Sequence, residues 1–337
     1  MVISLTCFRS SSLRGGSRRR TTRRLGFKGA EDLGGGLKAV WQIETQILID
    51  NSGAGNGLAT RNTFAGLAGD SWDSLTLGRN DTPYKTSTRG LDVFLDHIAD
   101  NRTLMGKGAI GFDQRFTDTV RYDTANMNGF KAALTYTAGA ENNVSSAADT
   151  KGKAVSLSGT YETGPFYAAL AYQKNTLSSV AGALPTAAFA GYAAPAGFKD
   201  EKAWKIAGSY KVSQFAVNAV YEKTTDNLGA TGAGHKAYYL AGVFNATASD
   251  AIKAAYTKAK NLNDGSATAT GAKQFSLGYD HSMSKRTTVY AMYTRLDNDN
   301  NVAYALSNAA GVATGATAAA GFGADPSAFS FGMKHSF

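Results

Sequence analysis

Hydrophobic and polar residues alternate along most of the chain, most clearly in its last ten residues, AFSFGMKHSF at 328–337. Phe329 and Phe331 share one parity, whereas Ser330 and Lys334 share the other. A period of two predicts a β-strand with one apolar face and one polar face. Such a strand is typical of a membrane β-barrel, where apolar side chains meet lipid and polar side chains meet a wet lumen.

The same alternation recurs from residue 23 onward and predicts about fifteen strands of roughly ten residues each. Short connections, such as the one at 213, alternate with long ones, such as 175–200. Aromatic residues at short-turn ends, among them Tyr161 and Phe166, predict an interfacial girdle. Bacterial barrels have short periplasmic turns, long extracellular loops and an even number of strands. We therefore expect an all-β, transmembrane antiparallel barrel whose first strand is missing from the sequence.

A soluble β-sandwich or β-solenoid is the alternative fold for so many strands. Either would have to bury the outward aromatic stripes in a core, and a sandwich is able to do so. The regular alternation of long and short connections is unusual for a sandwich and favours the barrel. No run of apolar residues approaches the roughly 18 that a membrane helix needs.

Composition agrees with a strand-rich chain that has no disulfide framework. Apolar residues make up 43% of the 337 residues, glycine is abundant at 38, and proline is scarce at 5. Proline cannot donate to a hydrogen-bond ladder, so its scarcity is expected in a large sheet. Cys7 is the single cysteine, which excludes an internal disulfide.

The net charge of +9 comes mostly from the first 24 residues, which carry seven arginines and no acidic residue. The remainder has 28 basic and 26 acidic residues, so its charge gives no reason to expect a nucleic-acid partner. The arginines also occupy the place where a signal peptide would have its cleavage site. We therefore expect residues 1–22 to be disordered or a mis-called start, and residues 23–337 to form the barrel.

Several stretches resemble the general porins of β-proteobacteria, which are trimeric barrels of the 16-stranded Gram-negative porin family. They are RRLGFKGAEDLGGGLKAVWQIE at 23–44, LTLGRNDTPYK at 75–85, VRYDT at 120–124, HSMSKRTTVYAMYT at 281–294 and the closing FGMKHSF. The resemblance implies an outer-membrane channel for passive diffusion of ions and small hydrophilic solutes. Solutes would be selected at a constriction, where the third loop folds into the pore. It also implies a homotrimer, contact with outer-membrane lipid and lipopolysaccharide, and handling by the barrel assembly machinery, whose signal would be Phe337.

The resemblance places basic wall residues of the constriction at Arg24, Arg79 and Arg115. The parity of Arg24 and Arg115 points them into the lumen. Arg79 has the lipid-facing parity of its neighbouring leucines, and a charge there is costly. We therefore expect Gly78 to mark a bulge or strand end that turns Arg79 inward. Lys38, which is inward by parity, is a further wall candidate.

The third loop is expected at 80–113, and its acidic residues are candidates to face the wall arginines. Leucine, phenylalanine and isoleucine recur at helical spacing in LDVFLDHIADNR at 91–102, which predicts a short helix. Asp92, Asp96 and Asp100 step by four along that helix. They would either set a transverse field with the wall arginines or form a solvated helix face. A weak anion preference follows if the three arginines outweigh these aspartates at the constriction.

No catalytic, metal or cofactor site is indicated. The four histidines do not form a metal-spaced cluster, and no nucleophile lies in a pattern with a base. Two alternative functions remain open on the same architecture. One is a substrate-specific outer-membrane channel, and the other is an adhesin that acts through its long loops.

Overall fold

The computed structural model describes residues 2–11, 23–47, 57–108, 111–138, 152–177, 199–227, 232–262, 268–306 and 321–336. These residues form an antiparallel barrel in which each strand pairs with its neighbours in sequence. The strands are β1 Val2–Ser11, β2 Arg23–Gly34, β3 Leu37–Ile47, β4 Thr63–Gly69, β5 Asp73–Asp81, β6 Arg115–Asp123, β7 Phe130–Thr137, β8 Lys153–Thr163, β9 Phe166–Leu177, β10 Lys199–Val212, β11 Phe215–Thr225, β12 Lys236–Asn245, β13 Asp250–Ala259, β14 Ala272–Ser282, β15 Thr287–Asn298 and β16 Ser327–Ser336.

Strand β1 closes the barrel and corrects the expectation that the first strand is missing. It pairs with β2 over Val2–Thr6 and with β16 over Thr6–Ser11. The segment VISLTCF is rich in residues that favour strands, and pairing on both sides satisfies backbone groups that lipid cannot satisfy. Residues 2–11 are therefore a strand rather than a disordered leader. Residues 12–22 and Phe337 lie outside the described residues, and the predictions for them stay predictions.

The lipid-facing and lumen-facing positions alternate as the sequence predicts. On β16, Phe329 and Phe331 are half exposed on the outer surface, whereas Ser330 is buried inside. Tyr161 and Phe166 face outward beside the short turn between β8 and β9, where the girdle is expected. The tightest turn joins β2 to β3 through consecutive glycines with positive φ, Gly34–Gly36, a conformation that glycine adopts without strain.

The third loop contains a helix, but not at the predicted place. Helix α1 is Pro83–Arg89, and a single 3-10 turn follows at Asn101–Thr103. Proline begins α1, and the Thr82 side chain accepts a hydrogen bond from the backbone N–H of Lys85, which is a regular helix start. The predicted helix over 91–102 is wrong, because Asp96 has φ of +62° and interrupts it. No helix in the described ranges is long and apolar enough to cross a membrane.

Candidate pore constriction

The base of the third loop is fixed to one side of the barrel interior by buried polar contacts. The Tyr84 hydroxyl of α1 donates a hydrogen bond of 2.8 Å to Glu222 on β11. The same carboxylate accepts the backbone N–H of Gly106 at 2.8 Å. Lys205 on β10 forms a buried ion pair of 2.7 Å with Asp113 at the end of the loop. Because each partner would be costly to leave unpaired inside the barrel, these contacts hold both ends of the loop in place.

The middle of the loop continues along the same wall. Asn218 on β11 donates to the backbone carbonyl of Leu91 at 2.8 Å, and the Tyr239 hydroxyl on β12 accepts the N–H of Val93 at 2.9 Å. Further along, the rings of His97 and Tyr290 on β15 lie 4.5 Å apart. The loop therefore lines the wall of β8 to β15, and we call the space between the loop and the wall of β2 to β6 the passage.

Arg24 and Asp96 meet across this passage. Arg24 lies at the beginning of β2 and donates a short hydrogen bond to the Asp96 carboxylate. Its guanidinium is also 3.8 Å from Glu44 on β3, which in turn pairs with Arg61. The structure thus brings together one predicted wall residue and one predicted loop residue.

Asp92 and Asp100, the other two predicted loop acids, lie inside the loop rather than facing the wall. Asp100 pairs with Arg102 at 2.7 Å and Arg89 at 2.8 Å. Burial opposes its ionisation, but the two guanidinium groups outweigh burial and hold the pKa of Asp100 well below its usual range. Asp92 accepts backbone N–H groups from Phe94 and Asn101 at 2.9 Å each. Both carboxylates therefore stabilise the fold of the loop itself. A regular helix over this segment would not have predicted that role.

Arg115 belongs to a second charged cluster on the same wall. Its guanidinium lies 2.8 Å from Asp81 and 2.5 Å from the Asn62 side chain. The other oxygen of Asp81 lies 2.6 Å from the ammonium of Lys85, on α1. Arg115 therefore faces the lumen, as its parity predicts, and it is joined to the beginning of the third loop.

Arg79 lies at the predicted bulge. The register of β5 against β6 shifts between Gly78 and Asn80, and Gly78 has φ of +136°, which non-glycine residues rarely adopt. Nε of Arg79 is buried and has no hydrogen-bond partner in the part of the chain that the structure describes. The bulge is confirmed, whereas the structure does not bring Arg79 to Arg24 or Asp96.

Lys38 lies away from these clusters. It follows the turn between β2 and β3, and its ammonium is 3.7 Å from Asp70 in the next short turn. Both side chains are well exposed, at 47% and 77%. Lys38 is therefore at the short-turn mouth of the barrel rather than beside Arg24.

Sequence reasoning missed six charged residues at the passage. Glu44 could have been found, because it shares the inward parity of Gln42 on β3. Arg89 and Arg102 flank the predicted helical segment, but only the folded loop shows their role. The six missed residues are Glu44, Arg61, Asp81, Lys85, Arg89 and Arg102.

Taken together, basic groups slightly outnumber acidic ones around the passage. The ion pairs of the two clusters contain six basic and five acidic side chains. The basic ones are Arg24, Arg61, Lys85, Arg89, Arg102 and Arg115, and the acidic ones are Glu44, Asp81, Asp92, Asp96 and Asp100. Across the described ranges, no group of three or more His, Cys, Asp or Glu side chains is placed to hold a metal ion.

A closed antiparallel barrel whose third loop narrows a charged lumen defines a β-barrel channel. The chain belongs to the Gram-negative porin family, whose sequence pattern it matches over residues 9–301. It is 27% identical to outer membrane porin protein 32 of Delftia acidovorans, over 94% of this chain and 85% of that protein. It is 29% identical to an outer membrane porin protein of Bordetella pertussis, over 86% of this chain and 80% of that protein. The chain is therefore an outer-membrane porin, and its relatives are channels rather than enzymes.

Solved structures share the fold. The anion-selective porin from Comamonas acidovorans superposes with a TM-score of 0.75 at 22% identity, covering 100% of this chain and 99% of that one. OmpT of Vibrio cholerae superposes with a TM-score of 0.71 at 14% identity, covering 99% and 96%. At these identities the likeness supports the 16-stranded barrel alone.

Proposed function

We propose that the chain forms a water-filled channel for passive diffusion of ions and small hydrophilic solutes, with a weak preference for anions. The observation that carries the proposal is the contact between Arg24 on the wall and Asp96 on the third loop. It joins the third loop to the wall at β2, and we take the constriction to lie beside this contact. We further propose that Arg24, Arg115 and Asp96 are the constriction residues, and that the protein has no catalytic activity.

The anion preference follows from the charge around the passage. At a constriction, wall charges act on a permeating ion at short range and with little intervening water. The ion pairs around the passage contain six basic and five acidic side chains, so their balance is positive by one. Burial and the nearby Asp100 carboxylate also raise the pKa of Asp92, which weakens the negative side further. The preference should be weak because nearly every charge has an opposite partner.

Two relatives support parts of this proposal. The Comamonas acidovorans structure is described as an anion-selective porin, and one structure of Vibrio cholerae OmpT is described as a trimer form. A homotrimer is therefore the assembly that we propose for this chain.

Reversal potentials in planar bilayers test the selectivity. With a KCl gradient across the membrane, the wild-type channel should show a small potential of the sign that indicates chloride preference. Arg24→Gln should move the potential toward cation preference, whereas Lys38→Gln, at the mouth, should change it less. A clear cation preference in the wild type would contradict the proposal.

Liposome swelling tests whether the channel is general. For a passive pore, uptake of uncharged sugars should fall smoothly as their size increases. A substrate-specific channel would instead admit one sugar much faster than others of equal size. An adhesin would leave bilayers without conductance.

A further inference from the structure

A buried histidine lies where the end of the third loop meets the barrel wall. His235 directly precedes β12 and has the inward parity of Ala237 and Tyr239, which are also buried. Its backbone N–H donates to the hydroxyl of Thr224 on β11 at 3.0 Å. The residue is 1% exposed, so the imidazole is shielded from the water of the lumen.

The imidazole of His235 is unpaired as well as buried. Within the described ranges, neither of its ring nitrogens has a hydrogen-bond partner. A neutral imidazole carries one donor and one acceptor, whereas the protonated ring carries two donors and a charge. Because an unpaired charge costs much more to bury than an unpaired neutral group, the packed arrangement favours the neutral ring.

Lys107, near the end of the third loop, adds a positive charge close to this ring. Burial and, to a smaller extent, the charge of Lys107 lower the pKa of His235 to about 4. The ammonium of Lys107 lies 5.9 Å from the ring centroid of Tyr304 and forms no ion pair with a carboxylate in the described part of the chain. A proton on His235 would therefore place two unpaired positive charges near each other.

The other charged groups of this region are engaged with the loop, with a neighbouring strand or with each other. Lys236, the next residue along the chain from His235, has the outward parity of Tyr238. Among the described groups packed here, a proton on His235 would therefore find no free carboxylate. The engaged groups are Glu201 and Lys205 on β10, Glu222 on β11 and Asp113 on the loop.

Residues 104–108, which we call the return limb, carry Lys107 and lead back from the passage to the wall. Asn227 donates a hydrogen bond of 3.4 Å to the backbone carbonyl of Lys107, which is a long contact for such a bond. The return limb begins two residues after Arg102, which pairs with Asp96 at 3.1 Å. A displacement of the limb would therefore move the loop acid that lies at the passage.

We propose that His235 and Lys107 form an acid-sensitive contact, in which protonation of His235 releases the return limb from the wall and the loosened loop partly obstructs the passage. The pKa of a solvated imidazole is about 6.5, and that of His235 in the packed arrangement is lower. The neutral ring therefore stabilises the packed limb fully above about pH 6.5, and this stability is lost as pH falls toward 4. Because one proton is bound, the ratio of released to packed limb rises by up to about tenfold per pH unit. The contact does not depend on the proposed ion preference.

Single-channel recordings of the full-length protein in planar bilayers test the proposal. Between pH 7 and pH 5, the frequency of partial closures in the wild type should rise by up to about tenfold per pH unit. Hydrogen exchange of the backbone amides at 104–108, corrected for the chemical exchange rate, should rise with it. His235→Gln removes the titrating ring, so both quantities should stay at their values at pH 7. Lys107→Glu supplies a counter-charge, so acid should then hold the limb more tightly, and this variant tests the proposal even if His235→Gln does not fold.

His281→Gln is the matched control. His281 lies near a short turn with 42% of its side chain exposed, and its replacement should leave the acid response unchanged. The proposal is overturned if His235→Gln closes as often as the wild type at pH 5, if Lys107→Glu keeps the response of the wild type, or if the control loses it. A response that persists in His235→Gln and disappears in Glu222→Gln would assign the titration to that carboxylate instead. The reversal potential of His235→Gln at pH 7 should equal that of the wild type, so failure here is distinguishable from failure of the proposed function.

Discussion

Arg24 on β2 donates a hydrogen bond to Asp96, a residue 72 positions further along the chain at the free edge of the third loop. The contact joins the third loop to the wall of the barrel on which Arg24 lies. Arg24 is also the more exposed partner, with 34% of its side chain accessible against 15% for Asp96. A permeating ion therefore meets the guanidinium more readily than the carboxylate.

Asp96→Asn should increase the preference for anions, because it removes the acid that offsets Arg24. Two unit charges 4 Å apart interact by about 1 kcal/mol in bulk water, so the permeability ratio should change by up to roughly fivefold at low salt. Reversal potentials measured at low and high KCl check this, and the difference should shrink at high salt.

Asp123→Asn is the control for this measurement. Asp123 pairs with Arg121 at 2.6 Å near the short-turn end of β6, away from the contact between Arg24 and Asp96. It should alter the reversal potential less than Asp96→Asn does. Equal shifts in the two variants would mean that Asp96 does not lie at the selective part of the pore.

Tyr84→Phe should loosen the third loop. It removes the hydroxyl that donates to the buried Glu222 carboxylate, and leaving such a group short of a partner costs about 1–3 kcal/mol. We expect a lower unfolding temperature in detergent and larger fluctuations of the open-channel current. Tyr161→Phe, on the exposed girdle, should change neither. If the Tyr84→Phe channel has the unfolding temperature and the current fluctuations of the wild type, this hydrogen bond does not hold the loop.

The anion preference should fall as pH rises from 7 to 9. Burial lowers the pKa of Lys85 to about 8, although its partner Asp81 opposes this effect. Above that pKa the ammonium loses its proton, and the positive balance around the passage decreases by one charge. Reversal potentials across this pH range measure the change.

Lys85→Arg should flatten this pH dependence, because arginine stays charged throughout the range. Lys107→Arg is the control: burial also lowers the pKa of Lys107 to about 8, but its ammonium lies 5.9 Å from the ring centroid of Tyr304 rather than on Asp81. The pH dependence should persist in that variant. An unchanged slope in Lys85→Arg would assign the titration to another group.

Parity predicted the direction of wall residues well, because a strand turns every second side chain to the same face. It placed Arg24 and Arg115 in the lumen. At Arg79 it gave a lipid-facing position, which is unfavourable for a charge, and this correctly indicated the bulge at Gly78. Parity gives no height along the barrel, however. Lys38 faces inward but lies near the short turn beside Asp70, as its distance from the Gly34–Gly36 turn could have indicated.

The third loop was not predictable in the same way. Its apolar residues have helical spacing, but Leu91, Phe94 and Ile98 are buried in a cluster with residues of the barrel wall rather than along one helix. The path depends on partners far away in sequence, such as Tyr239, whose hydroxyl donates to Asp92. A local pattern cannot report such contacts, so the separate roles of Asp92, Asp96 and Asp100 emerged only from the fold.

Deleting residues 2–11 should prevent stable closure of the barrel. Strand β1 pairs with β2 over Val2–Thr6 and with β16 over Thr6–Ser11. Without it, the edges of β2 and β16 would carry unpaired backbone groups in lipid, where each costs several kcal/mol. The folded protein should then be lost, as seen from the absence of a heat-modifiable band on an SDS gel and of channel activity in bilayers. A deletion of equal length at 141–150, in the long connection between β7 and β8, should preserve both. A heat-modifiable, conducting channel without residues 2–11 would show that β1 is dispensable for closure.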